Sequence, residues 1–159
     1  MIKKILSAVV ITATALTMSG CSTNSTHAPV GDCVKVLIDY SSYKTNYSGC
    51  ISELYETNAL SVLDSAGINV VGTDKYGSQI VCRVNDFPSA TQQLNIKDHS
   101  GYVESCKDMP AEFAYWAVLL KSPNGDWKWA ETGIDKVNLI NGDSIALVFS
   151  VNGNTKFPN

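Results

Sequence analysis

Apolar positions fall along this chain in three rhythms, and each predicts a different element. The first is continuous. Ile5 to Met18 is almost wholly apolar or small, with Lys3 and Lys4 before it and Ser19 and Gly20 after it. A positive start, an apolar middle and a small-residue end make a secretory signal over residues 1–20. At about 14 residues the run is shorter than the roughly 20 that span hydrocarbon as a helix. The second rhythm is helical. Ala59, Leu60, Val62, Leu63 and Ala66 share one face, with Thr57 or Asn58 before them to cap the first turn and Gly67 after them as the left-handed stop. A helix of about nine residues is unstable alone and must lie on a sheet.

The third rhythm is that of strands. Val34 to Asp39 is β-branched and apolar, and Gln79 to Val84 alternates. Tyr115 to Leu120 has no charged side chain and predicts a central strand. Pro123-Asn124-Gly125-Asp126 is a strong turn signal, and Trp127 to Ala130 follows it, so residues 115–131 form a hairpin. A second turn at Asn141-Gly142-Asp143 leads into a strand over Ile145 to Phe149. The loop from Tyr40 to Gly49 returns near Cys50, opposite Cys33. Residues 21–32 are polar, carry Pro29 and Gly31, and read as a tether. Asn85 to Ala114 reads as a long polar connection. The expected organisation is a signal (1–20), a tether (21–32), one domain (33–151) and a tail (152–159). The fold class is α+β, a β-grasp-like mixed sheet with one helix packed on it, stapled by disulfides.

Composition narrows the function. Without Lys3 and Lys4, ten basic residues face fifteen acidic ones, a formal charge of −5, and no basic run exists. Nucleic acid is excluded as a partner on that ground, since phosphate neutralisation needs clustered Lys and Arg. Cys21, at the first position after the signal, resembles the lipobox cysteine of bacterial lipoproteins, with Met18 where that pattern prefers Leu. The resemblance implies that Cys21 is acylated and that the protein is lipid-anchored in the cell envelope. With Ser22 rather than Asp next, it implies the periplasmic face of the outer membrane if the host has two membranes. The alternative is an ordinary cleaved signal with an unrelated cysteine nearby.

Cys33, Cys50, Cys82 and Cys106 remain, an even number in an exported chain, which predicts disulfides. Three connectivities exist. Cys33–Cys50 with Cys82–Cys106 is preferred because each closes a local excursion. Zinc is the rival, opposed by the lack of any C-x-x-C and by the isolation of His27 and His99.

The order of Val34–Asp39, the Ala59–Gly67 helix, Tyr76-Gly77, Ile80–Asn85, Cys106 with Pro110, Ala114-Tyr115-Trp116, Gly125-Asp126-Trp127 with Trp129, and Gly142-Asp143 resembles one family. It is the bacterial domain of unknown function similar to the C-terminal β-domain of transcobalamin and intrinsic factor. The resemblance covers residues 33–150 and implies a β-grasp-like domain that binds a soluble ligand, such as a corrinoid. In the vitamin carriers the ligand lies against a helical barrel, for which this chain has no room, so a partner protein is implied. Residues Ser89–Ser105 have no place in the pattern.

Tyr115, Trp116, Trp127 and Trp129 are the candidate ligand-binding residues. Trp127 and Trp129 alternate and so share a sheet face. Core packing competes for all of them, most strongly for Trp116. Tyr40, Tyr43 and Tyr47 could present recognition surface or fold back on the sheet. Asp126, Asp135 and Asp143 read as turn residues rather than calcium ligands. No catalytic or metal residue and no cofactor is expected, because His99 lacks a motif and no phosphate loop or nucleophile elbow occurs. The expected function is a membrane-anchored small-ligand binding module. The alternative is an envelope interaction or structural lipoprotein with no small ligand.

Overall fold

A parallel strand pair at the centre of one sheet organises the chain. The computed structural model describes residues 32–52 and 55–159, so the signal, Cys21 and the tether up to residue 31 lie outside the described residues. The elements run β1 (Val34–Asp39), β2 (Tyr47–Ile51), β3 (Thr57–Asn58), α1 (Ala59–Ser65), β4 (Val70–Thr73), β5 (Gly77–Val84), β6 (Leu94–Ile96), β7 (His99–Tyr102), β8 (Ala114–Lys121), β9 (Lys128–Trp129), a 3-10 turn (Ile134–Lys136), β10 (Asn138–Leu139) and β11 (Ser144–Val151). The fold is mixed α/β, mostly strands, with a single α-helix among the described residues. The main sheet has the order β2-β1-β11-β8-β9. β1 and β11 run parallel, with Lys35 opposite Ser144 and Asp39 opposite Val148. β2 flanks β1, and β8 flanks β11, both antiparallel. Three two-stranded ladders, β3–β10, β4–β5 and β6–β7, complete the structure.

Both disulfides take the preferred connectivity. Cys33 and Cys50 link β2 to the start of β1, with Cα atoms 5.6 Å apart. Cys82 in β5 joins Cys106, with Cα atoms 5.7 Å apart.

Alternation divides the sheet into two faces. Val34, Val36 and Ile38 of β1, Ile145, Leu147 and Phe149 of β11 and Trp116 of β8 share one core with Ala59, Val62 and Leu63 of α1. Each fully buried aliphatic or Phe side chain there contributes about 1.5–3 kcal/mol. The helix forms where its caps allow. Asn58 Oδ1 accepts from the Leu60 N–H at 3.0 Å. At the other end Gly67 has φ +73°, the Gly67 N–H donates to Asp64 O and the Ile68 N–H to Leu63 O, both at 2.8 Å, which closes the helix in a Schellman motif.

The opposite face buries less: Ala117, Leu119, Ala146 and Val148, with Leu37, Tyr115 and Trp127 packed around them. The chain beyond Val151 folds back here rather than trailing away. Thr155 Oγ1 donates to Ser150 Oγ at 3.0 Å and lies 3.3 Å from the Tyr115 hydroxyl. The Phe157 ring meets Trp129 edge-on at 5.9 Å. The connection after Val84 is also less polar in practice than in sequence, because it holds the β6–β7 hairpin and buries Phe87, Leu94 and Ile96.

Candidate functional site

The site lies where β8 runs out of partners. β9 pairs only with Leu119 and Leu120, and Ala130 N–H adds one bond to Val118 O at 2.9 Å. From Ala114 to Ala117 the outer edge of β8 has no strand beside it among the described residues. A groove of about 510 Å³ follows this edge. Tyr115, Trp116, Ala117 and Val118 form one wall, and Gln79, Ile80 and Val81 of β5 the other. Met109 and Pro110 rim it near the start of β8, and Trp129 and Ala130 near the end, with Ile134 below. Its size is in the range of small-molecule sites, and its lining is mainly apolar with a few polar groups (Gln79, Glu112, Thr132).

Four contacts hold β5 and the turn before it in place. The Cys82–Cys106 bridge ties the 106–110 segment to β5. The Asp74 N–H donates to Cys106 O at 2.7 Å, and Lys75 pairs with Asp108 at 2.8 Å. Gly133 packs against Gln79, and a Cβ at Gly133 would come within 2.9 Å of the Gln79 Cα, so only glycine lets the 3-10 turn approach β5.

The candidate aromatics separate here. Tyr115, Trp116 and Trp129 line the groove together. Trp127 shares the second face with Trp129, which pairs with Leu119, but it packs on Ala117, Leu119, Ala146 and Val148 and does not line the groove. Trp116 is structural in its indole N–H, which donates to Phe87 O at 3.1 Å, and its ring sits edge-on to Tyr40, Phe87 and Phe149. Trp129 is 48% exposed. The loop tyrosines fold inward. Tyr40 is buried and accepts from Asn85 Nδ2, and Tyr43 packs on Phe87 and Phe149. Burial pushes both phenols above their ordinary pKa. Asp143 keeps a turn role, its Oδ2 accepting from the Ile140 N–H at 3.1 Å.

Two other clusters bring chemically capable side chains together. Cys82, Glu104 and Cys106 bring ligand-type atoms within 4.8 Å of one another. Both sulfurs are in the disulfide, and Glu104 is committed, accepting from the Tyr102 hydroxyl at 2.5 Å and the Cys106 N–H at 2.7 Å. The Tyr102 pKa is pushed up to about 12 by burial and then by Glu104. His99 stacks flat on Phe113, ring centroids 3.6 Å apart, in a cleft with Lys97, Asp98 and Glu112, and makes no hydrogen bond to a carboxylate or hydroxyl there.

Sequence reasoning missed Gln79–Val81 as a wall, Met109 and Ile134. The preferred Cys82–Cys106 pairing was the one signal that could have placed Met109 beside β5. No family model, no curated protein and no solved structure matches this chain.

Proposed function

We propose that this protein is a lipid-anchored, extracytoplasmic ligand-binding module with a β-grasp-like domain, and that the groove along β8 is its site. The observation that carries this reading is the concave apolar groove of about 510 Å³ lined by Tyr115, Trp116 and Trp129. A flat or filled surface at this point would have favoured an interaction protein without a small ligand. Trp129 supports the reading, since a half-exposed indole beside a groove offers rigid contact area at little entropic cost. The β-grasp-like assignment draws support from the central parallel pair β1–β11, the antiparallel strand on either side of it and the helix packed on one face. The acylation of Cys21, the cell-envelope location and the kinship with the transcobalamin C-terminal domain rest on the sequence patterns. The groove is not an enclosed cavity, which suits a ligand, corrinoid-like or other, that a partner protein also contacts.

The test is a tryptophan fluorescence titration of the full-length protein in detergent with corrinoids and a panel of cofactors. Saturable quenching that disappears in Trp129→Ala, with the fold intact by circular dichroism, is expected. No response to any compound would move the reading to an envelope interaction protein.

A further inference from the structure

The groove lies on the edge of a strand rather than on a face, and this constrains what fills it. Its lining takes Trp116 and Val118 from the helix side of β8 and Tyr115 and Ala117 from the opposite side. Only a space beside the strand touches both. In an antiparallel pair, alternate residues turn both N–H and C=O toward one neighbour, and the residues between them turn both the other way. Val118 O accepts from Ala130 N–H on the outer side, so Val118 and, two residues back, Trp116 face their backbone groups outward. Ala114 shares that parity, and its N–H is already taken by Ala111 O at 2.9 Å. Trp116 N–H, Trp116 C=O and Val118 N–H thus face the groove with no hydrogen-bond partner among the described residues. Polar backbone groups aimed into an apolar space call for a ligand that supplies a donor and an acceptor at strand spacing.

We infer that the ligand class of this groove is an extended peptide segment, bound as an added strand on the outer edge of β8. The inference rests on the reading of the groove as the ligand site and names its occupant. Main-chain bonds to Trp116 and Val118 supply register, and alternate side chains of the peptide enter the helix side, by Val81 and Ile134, or the opposite side, by Trp129. A second copy of this chain is a poor occupant. The edge is recessed behind β5, Met109 and Trp129, so a single narrow strand enters and the equally recessed β8 of another molecule does not. The recess also explains how an unpaired edge is tolerated without edge-to-edge association.

The experiment pans a displayed library of random heptapeptides on the full-length protein in detergent. The strongest binder is resynthesised with one N-methyl group at each position in turn. The expected result is a loss of tenfold or more at alternate positions and a change under about twofold at those between, since only alternate amides face β8. Amide exchange on the unaltered protein gives a second readout. Trp116 and Val118 amides should become protected on binding, and Ala117, already bonded to β11, should not change. Losses without alternation, or no new protection at Trp116, overturn the inference. So does a library that yields no binder; if corrinoids or other small compounds still quench Trp129, the groove remains a ligand site for a non-peptide molecule. Silence from peptides and small compounds alike removes both readings.

Discussion

Trp116 and Trp129 stand on adjacent strands and line the same groove, yet the chain uses them in opposite ways. Trp116 is 5% exposed, its indole N–H is spent on Phe87 O, and its ring is locked among Tyr40, Phe87 and Phe149. Trp129 is 48% exposed and touches one other ring, Phe157. The closed cluster holds the inner wall in place, and the open rim is left free to meet a ligand. Residue type alone does not separate these roles. What separates them is the number of packed elements around each ring.

The largest expected effect is on the frame common to both. Reducing the two disulfides should cost about 6 kcal/mol, since each closed loop contributes about 3 kcal/mol by the chain-entropy model. Urea unfolding with and without reductant measures it. The two bridges should differ in one respect. Opening Cys82–Cys106 with paired serine substitutions should also weaken ligand binding, because that bridge holds the β5 wall. Opening Cys33–Cys50 should leave affinity unchanged in protein that still folds. Equal effects on affinity would break the division between frame and wall.

Next comes the closed cluster itself. Trp116→Ala should destabilise by about 3–5 kcal/mol, through the cavity it leaves and the donor lost to Phe87 O. Thermal or urea unfolding checks it. Trp129→Ala should change stability by about 0.5 kcal/mol or less, as exposed substitutions do, while abolishing the binding signal. A comparable loss of stability at both positions would erase the comparison.

A smaller effect comes from pH. Tyr102, buried against Glu104, ionises in the folded protein at a pKa of about 12, above the ordinary value of 10.0. The unfolded chain therefore loses this proton first. The stabilisation is complete below pH 10 and is lost as pH rises toward 12. Tyr102→Phe should flatten that alkaline limb of the stability curve. Tyr40 and Tyr43, both raised by burial, act in the same direction and will leave a remainder. A modest effect is expected at the helix start, where Asn58→Ala should cost about 1 kcal/mol through the lost cap.

Much of the frame is legible in the pattern of side chains. The Ala59–Ala66 stripe and Gly67 mark the helix, β-branched residues mark β1, β5 and β11, and an uncharged aromatic and apolar run marks β8, because these elements bury a whole face. The short ladders are not legible. β6 exposes only three residues of alternation, Leu94-Asn95-Ile96, and β9 and β10 have two residues each, too few for any period to register. The groove was half legible. An aromatic concentration around residues 115–129 pointed to β8, and the shared face of Trp127 and Trp129 was legible in their alternation, but which of the two reaches the groove was not. The opposite wall is built by β5, Met109 and Ile134, which meet through a disulfide and the close approach of Gly133 to Gln79. Such long-range meetings leave no local periodicity to read.

The central claim is that the free half of β8 faces a ligand site. A small-molecule fragment screen followed by backbone amide shifts tests it most directly, since it presumes no ligand. The account predicts shifts gathered at Tyr115–Val118, Gln79–Val81 and Trp129. Shifts gathered instead around Lys97–His99, or at Trp127, Leu37 and Ala146 away from the groove, would contradict it.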